Sequence, residues 1–264
     1  MKNKLLNRVL VSLIFGPVTL LVFYAGGIFL QVFLGILIFG MLYEFRKNFQ
    51  DKGTNLPVTQ LLFGEIVYLA LLTGKESIIL AAVFLTFIIL GGEYIFRNQS
   101  EGAIRKIAVS LFSILYVSLF LSMVYGLRQL ASGREIVISL LLTVWLTDTF
   151  AYFTGISIGR HQGVVPVSPK KSLEGFIGGL VFSIIGSYLL VKLFNLPLGL
   201  IWMFALSSGI CGQFGDLFES LLKRDLKIKD SSHLMQEHGG ILDRFDSLLF
   251  SAPALYILIR LIGV

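Results

Sequence analysis

Charge is scarce in this chain. Asp, Glu, Lys and Arg make up 14% of its 264 residues, against roughly 25% in a typical soluble domain. Hydrophobic residues make up 55%, more than a soluble core can absorb, which excludes an ordinary water-soluble domain. Strict alternation of apolar and polar residues is missing as well, which excludes a membrane β-barrel. The single cysteine, Cys211, excludes an intramolecular disulfide; in its apolar run it reads as a small packing residue. There is no G-x-x-x-x-G-K-[ST] loop, so a P-loop nucleotide site is excluded. His233 and His238 have no cysteine or third histidine nearby, which argues against zinc. No A-x-A-like cleavage site follows the basic start and first apolar run, so that run reads as a retained helix and not as a secretory signal.

What the chain has instead is long apolar blocks. Bilayer-spanning helices need about 20 apolar residues, and such segments recur throughout. The pattern predicts an all-α, polytopic integral membrane protein with about nine spans: 9–24, 28–45, 58–73, 78–96, 107–125, 136–155, 173–191, 199–219 and 247–262. Gly26-Gly27 makes the first connection tight, and a re-entrant hairpin is the alternative for the first pair. With the N-terminus inside, 17 of the 22 Lys and Arg residues fall on the inner side and 5 on the outer. That bias predicts a cytoplasmic N-terminus and cytoplasmic loops at 156–172 and 220–246. It also explains the net charge of +6 by orientation and contact with membrane lipids, not by nucleic acid. Residues 1–130 read as a transmembrane scaffold and 131–264 as the catalytic half, because acids enter the spans only in the second part.

The eighth span runs into GQFGDLFESLLKRD, where Asp216, Glu219, Ser220 and Lys223 share one helical face. An internal ion pair to Lys223 is the plain structural reading, but it leaves a second carboxylate over. Further on, EHGGILDRFDS places Asp243 and Asp246 on one face of the ninth helix, after a Gly239-Gly240 turn. Three carboxylates converging at one membrane surface would repel one another, and a hard divalent ion resolves that conflict. Asp216, Asp243 and Asp246 are therefore candidate Mg²⁺ ligands, with one or two ions left open. Lys223, Arg224, Lys227 and Lys229 precede these acids and Arg244 lies among them. Acids for a metal beside bases for phosphate oxygens suit phosphoryl or nucleotidyl transfer; a lipid-facing basic patch is the alternative. His238 is a candidate acid–base group or phosphate donor.

In the other polar loop, VPVSPKKSLEGFIGG, Ser168, Lys170, Lys171 and Ser172 offer donors before a helix N-terminus, which favours anions. Glu174 is a further functional candidate, whereas Gly175, Gly179, Ser183 and Ser187 read as a stripe for helix packing. Asp148, within the apolar sixth span, serves either an interhelical hydrogen bond or the metal and nucleotide.

These segments resemble the phosphatidate cytidylyltransferase family, also called CDP-diacylglycerol synthases. Its signature is S-x-x-K-R, four residues, K-D, then H-G-G-x-x-D-R-x-D. Ser220, Lys223-Arg224, Lys229-Asp230, His238-Gly239-Gly240, Asp243-Arg244 and Asp246 fill it in register, and DTFAYFTG and SPKKSLEGFIGG resemble further family blocks. The likeness covers about residues 145–246. It departs at Met235-Gln236, where the family has a branched or aromatic apolar residue and then a small residue or proline. The resemblance implies a Mg²⁺-dependent reaction of CTP with phosphatidate to CDP-diacylglycerol and pyrophosphate. With the carboxylate reading above, it points to catalytic Asp216, Lys223, Arg224, His238, Asp243 and Asp246. Substrate contacts would come from Asp148, Ser168, Lys170, Lys171, Glu174, Ser220, Lys229, Asp230, Gly239, Gly240 and Arg244. A homodimer in a bacterial inner membrane, with its site on the cytoplasmic side, completes the expectation. The rival classes are a transporter of an anionic solute, disfavoured by the lack of repeated halves, and a CDP-alcohol phosphotransferase, whose D-G-x-x-A-R pattern does not match.

Overall fold

The computed structural model describes residues 15–98, 100–229, 231–232 and 239–263. Asp230, His233, His238 and the Met235-Gln236 departure lie outside the described residues. Among the described residues there is no β-strand, only an isolated bridge between Gln162 and Ser172. Helices satisfy every backbone donor and acceptor within one segment, which the apolar composition demands.

The helices are α1 (Phe15–Ala25), α2 (Gly27–Gln50), α3 (Thr59–Leu72), α4 (Glu76–Phe96), α5 (Ala103–Ile114), α6 (Phe120–Arg128), α7 (Gly133–Ile158), α8 (Leu173–Leu193), α9 (Leu200–Leu206), α10 (Gln213–Asp225) and α11 (Leu242–Ile262). A π-helical stretch, Leu115–Leu119, joins α5 to α6, and another, Ser207–Gly212, joins α9 to α10. Six rods among the described residues are long and apolar enough to cross a membrane: α2, α4, α5–α6, α7, α8 and α11. α1 and α3 are shorter apolar helices as described. The α9–α10 rod begins apolar and ends in QFGDLFESLLKRD, so its last three turns are polar. Gly26 alone separates α1 from α2, at φ 65°. α2 itself has 24 residues, about 36 Å of helix at 1.5 Å per residue, enough for a full crossing and not the short arm of a hairpin.

One apolar core runs through both halves of the chain. Leu30, Leu34, Ile38 and Met41 of α2 pack with Val117, Leu121 and Val124 before and in α6, with Val137 and Leu140 of α7, and with Leu248, Leu249 and Leu255 of α11. The last helix is thus held by the first ones, so the scaffold and the polar second half share a packing unit. Within the apolar interior, polar side chains pair across helices. Gln31 Nε2 donates to Tyr125 Oη at 2.8 Å, and Tyr68 Oη donates to the Gln31 carbonyl at 2.8 Å. The small-residue stripe of α8 does what its spacing suggests. Gly175, Gly179, Ser183 and Ser187 are buried, with Gly175 and Gly179 against α7 at Ala151 and Ser183 donating to Ala205 O of α9.

Candidate active site

α7, α10 and α11 bring their acidic positions to one end of the bundle, and the 159–172 loop folds over them. Lys171 Nζ donates to Asp216 Oδ2 at 2.5 Å, joining the loop to α10. Arg224 Nε donates to the Val167 carbonyl at 3.3 Å, a second tie between the same elements. Ser247 Oγ reaches Asp148 Oδ1 at 3.4 Å, linking α11 to α7. The approach of α10 to α11 depends on Gly215: a Cβ there would lie 2.5 Å from the Asp246 carbonyl. Only glycine lets the backbones meet so closely, and that meeting puts Asp216 and Asp246 on neighbouring strips of helix. Asp148, Asp216 and Asp246 thus stand on three elements that these contacts draw together.

A second knot lies beside the first. Lys223 Nζ contacts Glu219, one helical turn away, and Asp243 Oδ1 at 2.6 Å. Lys223 and Asp243 are each mostly covered, and Glu219 is fully buried. Burial works against the Lys223 ammonium, but the two carboxylates outweigh it and hold its pKa above the ordinary lysine value. The other oxygen of Asp243 is saturated: Ser231 N at 3.0 Å, Ser231 Oγ at 2.6 Å and Gly240 N at 2.7 Å all donate to it. The ion pair foreseen as the plain reading of this helix face thus exists, between Glu219 and Lys223, and it recruits Asp243.

A cleft of about 620 Å³ opens between α7, α8, α10 and the loop. Asp148, Gln162, Lys170, Lys171, Ser172, Gln213 and Asp216 supply its polar lining; Tyr152, Ile156, Val164, Val165, Phe176 and Leu217 supply apolar wall. This is the expected form of a ligand site: mostly apolar, with a few converging charges.

Of the other residues singled out in the sequence, Glu174 turns away to a local task. It accepts from the His161 backbone N–H at 3.2 Å and pairs with His161 Nδ1 at 2.5 Å, bracing the start of the loop, and it is not among the residues lining the cleft. Ser168 N–H donates to the Val165 carbonyl, which tightens the loop, and Ser172 caps α8 by accepting from Gly175 N. Ser220 is buried, whereas Lys229 and Arg244 are exposed. Gly240 approaches protein, not open space: a Cβ there would meet Ser231 Oγ and the Glu44 carboxylate. Among the described residues, no three His, Cys, Asp or Glu side chains are gathered closely enough to enclose an ion. The donor set nevertheless has the right chemistry. Asp148, Asp216 and Asp246 carry hard oxygen donors on elements that meet at one junction, and a divalent cation takes donors of that kind.

Sequence reasoning passed over Glu44 and Glu219 as site residues. Glu44 is a wholly buried acid near the end of α2, joined to the α11 N-terminus. Its signal in the sequence was an acid in an otherwise apolar span, but the neighbouring loop charges obscured it.

Fold and cleft together define a class: an all-α protein with membrane-length helices whose cleft sets carboxylates beside ammonium groups. The sequence comparisons then supply the family. The chain belongs to the Cytidylyltransferase family, whose sequence model matches residues 6–262. It is 32% identical over 265 residues to a phosphatidate cytidylyltransferase of Staphylococcus saprophyticus, covering 98% of this chain and 99% of that protein. It is equally similar to the proteins of the same name from Staphylococcus haemolyticus and Staphylococcus aureus, 32% identical in each case and over 98% of this chain and 99% of theirs. The likeness read from residues 145–246 thus extends over nearly the whole chain.

Proposed function

We propose that this protein joins CTP to phosphatidate, giving CDP-diacylglycerol and pyrophosphate, at the cytoplasmic face of the bacterial inner membrane. The observation that carries the reading is the pairing of Lys171 with Asp216 and of Lys223 with Asp243 at one end of the bundle, the first of these pairs inside a largely apolar cleft. Family membership and the names of the relatives support it.

A phosphatidate phosphate oxygen attacks the α-phosphorus of CTP; that P–O bond forms as the bond to the β-phosphate oxygen breaks, and pyrophosphate leaves. The attacking oxygen is already anionic, so no strong base is required. The difficulty is bringing anions together, and fixed cations lower it. Lys171 and Lys223 can exchange a carboxylate partner for a phosphate oxygen, and Arg224 adds a planar, bidentate donor beside the loop. Lys170 and Ser168 extend the donor set along the loop; Lys229, Arg244, Asp230, Ser220 and His238 are further contacts by their place in the family signature. Asp216, Asp243 and Asp246 are the proposed holders of Mg²⁺, with Asp148 at the same junction; the ion, when bound, neutralises charge on the triphosphate. Asp243 joins that set only by releasing Lys223, which would then be free to face the substrate. The apolar wall of Tyr152, Ile156, Val164 and Phe176 suits the glyceride end of the lipid. The orientation rests on the loop charges. A homodimer is part of the same proposal by family likeness.

The test uses purified protein in neutral detergent with phosphatidate, radiolabelled CTP and Mg²⁺. A labelled lipid that forms only when all three are present is the expected result. Absence of any CTP-dependent lipid product would sink the reading.

A further inference from the structure

Helix α11 begins at Leu242, after Gly239, Gly240 and Ile241, and no side chain of its own first residues caps it. An α-helix leaves its first N–H groups without partners, and burying them unpaired is costly. Here the acceptor comes from the far side of the sequence. Glu44, near the end of α2, is wholly buried; it accepts from Ile241 N at 2.8 Å, from Leu242 N at 3.0 Å and from Ser232 Oγ. Both ends of the segment that precedes α11 are thereby tied to one carboxylate. Next to this knot Asp243 accepts from Ser231 and Gly240 with one oxygen and from Lys223 with the other. Gly240 fits between the two acids because it lacks a Cβ, which would lie 2.7 Å from Glu44 Oε2.

From this arrangement we infer that Glu44 is a positioning residue for the transfer reaction: it caps α11 from α2 and so sets where Asp243, Lys223 and Asp246 stand. The inference rests on the proposed activity for its kinetic half and on the hydrogen bonds alone for its anchoring half. Glu44 touches no lining residue of the cleft in the contacts above; it acts through the backbone of Ile241 and Leu242. Glutamine in its place keeps the shape but loses the charge and turns an N–H₂ group toward at least one backbone donor. Aspartate keeps the charge on a shorter arm.

The experiment compares Glu44→Gln, Glu44→Asp, Ser113→Ala and the unaltered full chain in neutral detergent. Ser113 makes a buried hydrogen bond to Gln60 between α3 and α5, so its loss controls for general weakening of the scaffold. Two readouts are taken: kcat and KM for CTP, and the rate of tryptic cleavage at Lys227 and Lys229, which are exposed beside the tethered segment. Losing such buried acceptors should raise the open population and the cleavage rate of Glu44→Gln about 5- to 100-fold. Its kcat should fall about tenfold or more, with a smaller change in KM. Glu44→Asp should recover part of both losses, and Ser113→Ala should show neither. Unchanged cleavage in Glu44→Gln would overturn the inference, and so would unchanged kcat. If the unaltered protein makes no CDP-diacylglycerol, the functional reading fails on its own account and the cleavage comparison still decides whether Glu44 anchors the segment.

Discussion

Lys223→Met separates the stabilising role of this ammonium group from the catalytic role proposed for it. In the folded protein Lys223 lies between Glu219, which is fully buried, and Asp243, whose side chain is 13% exposed. Methionine has nearly the same length but leaves two acids facing each other with no cation between them. Removing one partner from a buried ion pair costs about 3–5 kcal/mol, because the charge left behind is no longer compensated. Asp243 keeps its bonds from Ser231 and Gly240, and Glu219, wholly buried, is relieved by taking up a proton, so the lower end of that range applies to the pair. Adding Glu219→Gln to Lys223→Met fixes that neutral form and should recover about 1 kcal/mol, the low end of what replacing a buried ion pair gives. Turnover should not follow: both the single and the double variant lack the ammonium proposed to face phosphate, with losses of roughly 30- to 1,000-fold, equivalent to about 2–4 kcal/mol of transition-state stabilisation. SDS titration in mixed micelles, followed by helical circular dichroism, measures the first quantity, and CDP-diacylglycerol formation at saturating substrates measures the second. A Lys223→Met protein as stable as the parent would refute the ion-pair argument. A double variant with near-parental turnover would refute the catalytic one.

Asp243→Asn should keep the helical fold, since amide oxygen still accepts from Gly240, but should lose most Mg²⁺-dependent turnover; near-normal rates at limiting Mg²⁺ would remove Asp243 from the metal set. Arg224→Lys should be impaired as well as Arg224→Ala, because charge without the planar fork is not enough, and salt-series kinetics in neutral detergent check this against a lipid-facing patch that salt would screen. Gly215→Ala should push α10 away from α11, since its Cβ would sit 2.5 Å from the Asp246 carbonyl; the expected outcome is a protein that inserts but loses activity, read by expression level and turnover together. Cysteines placed at 165 and 229 in a Cys211→Ser background should label from the cytoplasmic side and one at 130 from the other side, and labelling of 165 and 229 from opposite faces would break the shared site.

The all-helical membrane fold was legible in the sequence because a bilayer leaves so few alternatives: an apolar run of sufficient length must close its own hydrogen bonds, and helix is the local way to do so. The candidate acids and bases were legible for a related reason. Charge in or beside an apolar span is expensive, so Asp148, Asp216, Asp243 and Asp246 stand out without any structure. Spacing along one helix also placed Glu219 and Lys223 a turn apart, and the ion pair between them followed. Contacts between distant segments are another matter. That Lys171 meets Asp216 across 45 residues, that Glu174 braces His161 instead of lining the cleft, and that Glu44 caps a helix beginning 198 residues later all depend on how the rods cross. Periodicity tells which face of a helix is polar but not which partner that face meets, because in lipid the choice is made by close packing at residues such as Gly215 and Gly240. The sequence by itself therefore determined the kind of protein and the chemistry it carries; the tertiary structure decided which charges stand together, since pairing energies act over a few ångströms and only the packed bundle brings the groups that near.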